Sequence, residues 1–210
     1  MNQSIGRPTD SNKTIAILDT ALKLFSSRGL EATSIESIAA ESRVAKSTIY
    51  ARFGNKINIL EAVIKNFTMP IQQVWQEVSS ENSIEERINS IGIALAVRVE
   101  SREISRLEPV VMMAMIKYPK VADAFYYNGP GKVIEELTKF IDLAIRDGEL
   151  TTIDETPSAA VMAEDLLGLW RGANSHVFKA RSEGKDTVEK KELEVQIHRG
   201  TKLFLKLYGQ

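Results

Sequence analysis

Residues 17–63 read ILDTALKLFSSRGLEATSIESIAAESRVAKSTIYARFGNKINILEAV, and apolar residues recur along this stretch every three or four positions. Such spacing puts apolar side chains on one face of an α-helix. The inward face of the first helix is predicted to carry Ile15, Leu18, Leu22 and Phe25. Gly29 should end this helix, because glycine readily adopts the left-handed conformation that follows many helices.

Further short helices are predicted in the same stretch. Thr33 and Glu36 have the spacing of a capping box, in which side chains and backbone amides satisfy each other, so a second helix should begin at Ser34. A third helix covers residues 46–53, and a fourth begins at Lys56. Two short helices separated by three or four residues in a small bundle are typical of a helix-turn-helix.

The third predicted helix is too short to be a good core element. It turns Ile49 and Phe53 inward and leaves five polar side chains to point elsewhere, namely Lys46, Ser47, Thr48, Tyr50 and Arg52. Such groups donate hydrogen bonds to phosphate oxygens or to base edges in the major groove, and the helix N-terminus adds partial positive charge. This pattern predicts a DNA-recognition helix.

The whole stretch resembles the DNA-binding domain of the TetR family in the order and spacing of its landmarks, which are Ala21, Phe25, Gly29, Thr33, Ile38, Ala39, Val44, Ile49, Tyr50, Phe53, Lys56 and Leu60. The resemblance implies that residues 46–52 form the recognition helix. It also implies that Thr33 caps the second helix near phosphate, and that Tyr50 and Lys56 contact phosphate. The partners it implies are double-stranded, palindromic operator DNA, a second copy of the chain, and a small, largely apolar effector that releases the DNA.

Two residues near the turn depart from the family pattern. Arg43 stands where the family usually has glycine, and a non-glycine residue there is strained if its φ is positive. Ala45 replaces the usual Ser or Thr cap of the recognition helix, which costs about 1 kcal/mol of local stability. Ahead of the first helix, residues 6–8 resemble a basic arm whose Arg7 would enter the minor groove; the alternative is a disordered tail.

The rest of the chain also has helical periodicity, with no strand pattern bounded by hairpin turns, so the predicted fold class is all-α. We predict a DNA-binding domain over residues 1–55, including an arm at 1–11, and a ligand-sensing and dimerisation domain over 56–210. The predicted later helices cover about 84–100, 102–117, 119–127, 130–147, 157–183 and 187–208. The region from about 106 resembles the AefR-like branch of the family through Glu108-Pro109, Tyr118-Pro119, Phe125-Tyr126, Gly148-Glu149-Leu150 and Leu207-Tyr208-Gly209.

The last two predicted helices carry apolar stripes spaced four and three residues apart, which favours packing at shallow crossing angles. We interpret the stripes as a dimer interface, because an operator read by paired helices needs a two-fold protein. The alternative is that both stripes face the subunit's own core. The predicted interface residues are Leu166, Trp170, Ala173, Val177, Leu193, Ile197 and Phe204.

The resemblance implies a ligand pocket, and its candidate lining residues are bulky, adaptable side chains and one polar anchor. They are Met112, Met115, Phe125, Trp170 and Asn174. The alternative is that these side chains belong to the plain core.

Composition excludes several functional classes. The 210 residues contain no cysteine, so a disulfide, a Cys-based metal site and a thiol nucleophile are ruled out. Neither His176 nor His198 follows a glutamate by three residues, so the Glu-x-x-His pair of a di-iron bundle is absent. No apolar run approaches the roughly 18 residues of a membrane span. We therefore expect a cytoplasmic protein with no catalytic residues, no metal, no cofactor and no membrane partner.

The formal net charge of −1 hides an uneven distribution. Residues 1–66 contain nine Lys or Arg against six Asp or Glu, whereas the remainder contains eighteen against twenty-two. A basic end joined to an acidic body suits a protein that meets phosphate with one part only. The alternative function is a helical adaptor that binds protein and not DNA, and the residues are compatible with both a repressor and an activator.

Overall fold

The structure is a computed structural model that describes residues 10–67, 74–75, 82–152, 158–172, 182–184 and 188–210. Within these ranges it contains ten named helices: α1 (Asp10–Ala32), α2 (Ile35–Ser42), α3 (Lys46–Phe53), α4 (Lys56–Phe67), α5 (Ile84–Val99), α6 (Arg102–Lys117), α7 (Pro119–Asn128), α8 (Pro130–Arg146), α9 (Ala159–Arg171) and α10 (Lys190–Tyr208). The described ranges contain no strand, only an isolated bridge between Leu150 and Gly209. The all-α prediction is confirmed.

The described ranges exclude the predicted arm at residues 6–8 with Arg7, and they also exclude Ala173, Asn174, His176 and Val177. The predicted helix over 157–183 corresponds to α9, which ends where Gly172 adopts a positive φ of 48°. No helix among the described residues is both long enough and apolar enough to span a bilayer.

The buried face of α1 differs from the prediction at its first turn. Leu18, Leu22 and Phe25 are buried as expected, but Ile15 is 52% exposed. The position that continues the inward stripe is Thr14, whose hydroxyl accepts a hydrogen bond from Arg52 of α3. Assigning Ile15 to the inward face was therefore wrong, because a polar contact from another helix occupies that end of the stripe.

The junction of α1 and α2 corrects the predicted cap by one residue. The helical path breaks at Gly29, where φ is 79° and ψ is 166°, as predicted. Thr33 is 1% exposed and its hydroxyl donates to the Gly29 carbonyl oxygen at 2.8 Å, so it closes α1 and does not cap α2. Ser34 is the N-cap: its Oγ accepts from the Ser37 amide at 3.1 Å, and the Ser37 Oγ accepts from the Ser34 amide at 3.2 Å. Glu36 is consequently not part of the cap.

The two residues of the turn that differ from the family pattern, Arg43 and Ala45, both have structural consequences. Arg43 has φ 56° and ψ 31°, and it is the one non-glycine residue with a positive φ among the described residues. The left-handed conformation costs about 1–2 kcal/mol for a residue with a Cβ. Ala45 is the N-cap of α3 and provides no side-chain hydrogen bond. The turn between α2 and α3 therefore forms without the two residues that would favour it most.

The chain divides into two compact units, of which the first comprises Met1–Thr68 and Arg106–Phe125. Its core joins α1–α4 to the later part of α6 and most of α7. Within α4 the fully buried residues are Ile59, Leu60, Val63 and Ile64. The helix-turn-helix thus shares one apolar core with α4 and with residues from a distant part of the chain. The domain boundary after residue 55 stays a prediction about where the DNA-binding function ends.

The second unit comprises Met69–Ser105 and Tyr126–Gln210, and α5, α8, α9 and α10 form its core. Gly92 of α5 allows close packing, because a Cβ there would lie 2.7 Å from Ile197 and 2.8 Å from Trp170. The Trp170 Nε1 donates to the Thr201 hydroxyl at 3.1 Å. These contacts hold α5, α9 and α10 together within a single chain.

The predicted dimer stripe is wrong for every member that the structure describes. These residues are at most 8% exposed in the isolated chain, namely Leu166, Trp170, Leu193, Ile197 and Phe204. An apolar stripe is buried by whichever partner is nearest, and here the nearest partners are helices of the same chain. The alternative interpretation, that the stripes face the subunit's own core, is the correct one for these residues.

Candidate nucleic-acid interface

The short helix α3 presents a polar face to solvent. Ile49 is completely buried and Phe53 packs against the first unit's core, as the sequence predicts. Lys46 and Ser47 are exposed, Tyr50 is 44% exposed, and Thr48 is half-buried. The buried side chains hold the helix, while ammonium, hydroxyl and phenol groups stay accessible. This arrangement can donate several hydrogen bonds to a polyanion.

The first cation of α3 has an acidic neighbour. The Lys46 ammonium forms an ion pair with the Glu36 carboxylate, in the first turn of α2. It also lies 5.6 Å from the centroid of the Tyr50 ring. The hydrogen bond from Lys46 lowers the pKa of the Glu36 carboxyl, and the same bond raises the pKa of Lys46. Both groups therefore remain ionised at neutral pH, on the same exposed face.

The second cation of α3 connects two helices. The Arg52 Nη1 donates to the Thr14 hydroxyl, so the C-terminal turn of α3 is tied to the N-terminal part of α1. Both side chains are half-buried. This contact orients α3 relative to the helix that precedes the helix-turn-helix.

Lys56, at the start of α4, caps the end of α1. Its Nζ donates to the Leu30 carbonyl oxygen at 2.5 Å and to the Glu31 carbonyl oxygen at 3.2 Å. These are carbonyls that an α-helix leaves unpaired at its C-terminus, where a cation is also favoured by the helix dipole. An ammonium group has three donors, so one remains after these two bonds.

Glu31 connects the same corner to the α6–α7 junction. Its carboxylate lies 3.1 Å from the Lys117 Nζ and 3.5 Å from the Tyr118 hydroxyl. The hydrogen bond from Lys117 lowers the pKa of the Glu31 carboxyl. The corner formed by the end of α1 and the start of α4 is thus braced by later helices of the same unit.

Sequence reasoning missed Glu36 and Thr14 and misplaced Thr33. The hydroxyl of Thr33 is buried against Gly29, so it is not available to a phosphate. A signal for Glu36 exists: it is the acidic residue in the first turn of α2, and the turn of a helix-turn-helix brings that helix next to α3.

The described members of the predicted ligand set are divided between the two units. Met115 and Phe125 are half-buried against the first unit's core, and Met112 is 42% exposed on α6. Trp170 is buried in the second unit's core, where Thr201 satisfies its N–H. The fifth residue, Asn174, lies outside the described residues.

Two family models match the chain. Residues 17–63 match the model of bacterial regulatory proteins of the tetR family, and residues 86–210 match that of the AefR-like transcriptional repressor, C-terminal domain. Among curated proteins, the uncharacterised HTH-type regulator YvkB of Bacillus subtilis is 24% identical over 77% of this chain and 81% of its own length. The HTH-type transcriptional repressor Rv3405c of Mycobacterium tuberculosis is 33% identical over 39% of this chain and 43% of its own length.

Solved structures show the same fold over nearly the whole chain. A Mesorhizobium loti protein assigned to the TetR family superposes with a TM-score of 0.82 and 21% identity, covering 97% of this chain and all of that one. The flavonoid-responsive regulator FrrA superposes with a TM-score of 0.76 and 23% identity, covering 95% and 98% of the two chains.

Proposed function

Because the chain belongs to the TetR family of bacterial transcriptional regulators, we propose that it is a ligand-responsive repressor that binds a palindromic operator as a homodimer. Members of this family are DNA-binding transcription factors and not enzymes. The observation that supports DNA binding most directly is the outward polar face of α3, anchored by the buried Ile49. This repressor acts in the cytoplasm, where bacterial DNA is located.

The proposed DNA contacts come from α3 and the start of α4. Lys46, Ser47, Thr48 and Tyr50 approach the major groove and its phosphates. Lys56 also binds phosphate with the ammonium donor that remains beyond those used for the α1 carbonyls. Arg52 is proposed as a further phosphate contact. Thr33 is left out of the interface, because its hydroxyl is buried.

The salt dependence of duplex binding tests this function. Binding of a labelled mixed-sequence duplex is followed by fluorescence anisotropy at salt concentrations from about 50 to about 200 mM. We expect affinity to fall steeply with salt, and Lys56→Ala to reduce the log–log slope by about one. Lys23→Ala is the matched control, because Lys23 is an exposed cation of α1 that pairs with Glu41. A protein-binding adaptor would show no such slope for the unmodified chain.

The homodimer requires a surface other than the predicted stripe. The outer face of α10 carries Val195, Leu203 and Leu207, of which Val195 is 64% exposed. Spacings of eight and four residues put all three on one side of the helix, and α9 adds the exposed Val161. Exposed apolar patches commonly mark protein interfaces, and a second copy of the chain would provide the same patch in a two-fold pair.

Size-exclusion chromatography with light scattering tests the dimer surface. Leu203→Glu places a charge in the proposed interface, so we expect its dimer dissociation constant to rise at least about 100-fold relative to the unmodified chain. Met113→Glu is the control, because Met113 is a more exposed apolar residue on α6. If Leu203→Glu dimerises with unchanged affinity while Met113→Glu does not, the interface lies elsewhere.

The effector is proposed to bind in the second unit. Support comes from three buried polar atoms that have no hydrogen-bond partner among the described residues, namely the Trp75 Nε1, the Arg87 Nε and the Asn89 Oδ1. Trp75 and Arg87 both border Phe140: the ring centroids of Trp75 and Phe140 are 6.0 Å apart, and the Arg87 Cζ lies 5.5 Å from the Phe140 centroid. Buried polar atoms are nearly always paired, so this region suits an apolar or aromatic molecule that bears an acceptor for the two N–H groups and a donor for the Asn89 Oδ1.

A thermal-shift screen of small apolar and aromatic compounds tests ligand binding, because a ligand that binds only the folded state raises its melting temperature. Trp75→Phe should abolish the shift produced by a hit. Trp170→Phe should preserve that shift, because the N–H of Trp170 is already paired with Thr201.

In the proposed mechanism, the ligand-free dimer holds its recognition helices at operator spacing. The effector favours a state in which α4 moves and the two DNA-binding domains separate. The helix α6 contains residues of both units, so a shift along it can reach either one. Coupling of this kind is reciprocal, and operator DNA must weaken effector binding by the same factor. A direct titration with saturating effector would contradict the mechanism if operator affinity were unchanged.

A further inference from the structure

An acidic residue lies in the middle of the proposed DNA-binding surface. Glu36 belongs to the first turn of α2, its side chain is 58% exposed, and it forms the ion pair with Lys46 at the start of α3. Ser34 and Ser37 form the capping box of α2 between them, while the carboxylate of Glu36 accepts hydrogen bonds from its own backbone amide and from Ser34 as well as from Lys46. A residue that contacts the first cation of the recognition helix is itself close to any DNA that this cation binds.

Stability does not account for this ion pair. Both side chains are at least half exposed, and exposed ion pairs contribute little to the free energy of unfolding. The ion pair is also not needed to hold the starts of α2 and α3 together, because both helices already pack in the apolar core through Ile38 and Ile49. The ion pair instead affects DNA binding, because it neutralises a cation that would otherwise attract phosphate.

We propose that Glu36 determines sequence specificity by holding Lys46 away from phosphate on incorrect DNA and by accepting a hydrogen bond from a cytosine amino group on the operator. This inference rests on the proposed DNA-binding function. In the major groove, cytosine N4 is a donor that carboxylates recognise. Where the base that faces Glu36 is guanine or thymine, the carboxylate meets only acceptors and phosphates, and the like charges disfavour binding.

On the operator, Glu36 and Lys46 each exchange one partner for another. The cytosine amino group replaces the Lys46 ammonium as the hydrogen-bond donor to Glu36. The Lys46 ammonium in turn moves to a phosphate and releases a counterion. On the operator both groups gain a partner in the DNA, whereas on other sequences the Glu36–Lys46 ion pair stays closed and neither group gains one.

Glu36→Gln tests the proposal, since it keeps the shape of the side chain and removes the charge. Binding of mixed-sequence duplex should tighten about 3- to 10-fold near 100 mM salt, and the log–log salt slope should steepen by up to about one. The preferred base at one position of each half-site, found by selection from a random duplex library, should change from cytosine to adenine, because glutamine pairs with adenine N6 and N7. Glu36→Ala should show the tighter mixed-sequence binding without a new base preference.

Glu41→Gln is the matched control. Glu41 lies on the same helix and also forms ion pairs, but its partners are Lys23 at 3.5 Å and Arg28 at 3.3 Å on α1. This variant should bind mixed-sequence and selected duplexes like the unmodified chain. If the unmodified chain shows no salt-dependent duplex binding, the proposed function itself fails. If it binds DNA while Glu36→Gln and Glu36→Ala change neither the mixed-sequence affinity nor the selected base, the role of Glu36 is refuted.

Discussion

The helices α3 and α10 are both amphipathic, yet their exposed faces have different chemistry. On α3 the accessible groups are an ammonium, a hydroxyl and a phenol, whereas α10 exposes Val195, Leu203 and Leu207 among its basic residues. Both helices bury one apolar stripe in the core of their own unit. The buried stripe therefore shows only which side of a helix the chain itself covers. The partners that we propose, phosphate for α3 and protein for α10, rest on the chemistry of the opposite faces.

The largest effect is expected on the buried side of α10. Phe204 is fully buried, so Phe204→Ala should lower the free energy of unfolding by about 3–5 kcal/mol through lost burial and a cavity. Lys202→Ala, on the outer side, should change it by less than about 0.5 kcal/mol. Urea unfolding followed by circular dichroism measures both. Equal effects at the two positions would mean that the assigned faces of α10 are wrong.

A smaller effect tests the polar tie between α10 and α9. The Tyr208 hydroxyl donates to the Asp165 carboxylate at 2.6 Å, which, together with burial, raises the pKa of Tyr208 to about 12. Folding thus raises the pKa of the phenol above its ordinary value of about 10. The protonated phenol stabilises the folded state below about pH 10, and this stabilisation is lost between about pH 10 and 12.

Tyr208→Phe should lower the free energy of unfolding at pH 7 by about 1.5–3 kcal/mol, because a hydrogen bond to a charged group is lost. The difference between the two proteins should shrink as pH rises from 10 to 12, which chemical denaturation at several pH values measures. A difference that stays constant over that interval would contradict the hydrogen bond to Asp165.

The start of α3 can be strengthened without changing its exposed face. Ala45 provides no side-chain cap, so Ala45→Ser should raise the free energy of unfolding by about 1 kcal/mol. Ala45→Val is the comparison, since valine cannot cap and should bring no gain. A melting curve followed by circular dichroism measures the shift, and equal stability of the two variants would argue against an uncapped start.

The smallest expected effect concerns the turn. Arg43→Gly relieves the left-handed strain but adds backbone entropy to the unfolded chain, so we expect a net gain of about 0.5–1 kcal/mol. Arg43→Ala should bring no gain, because alanine keeps the Cβ. Urea titrations of both variants separate the backbone effect from the loss of the arginine charge.

Most of the helix-turn-helix could be predicted because its signals are local. The break at Gly29 and the extent of α3 depend on residues within a few positions. The cap of α2 was misplaced because Thr33 and Ser34 are both good capping residues, and only the burial of Thr33 distinguishes them. The dimer stripe was misassigned because periodicity identifies an apolar face without identifying the helix that covers it.

The sequence by itself determined an all-α chain with a helix-turn-helix and a polar recognition face, because periodicity, caps and turns are encoded by near neighbours. Only the tertiary structure decided which partner each cation contacts: Lys46 pairs with Glu36, Arg52 with Thr14, and Lys56 with the carbonyl oxygens at the end of α1. These partners are 10 to 38 positions apart in the chain, and what brings them together is the packing of several helices on a common core.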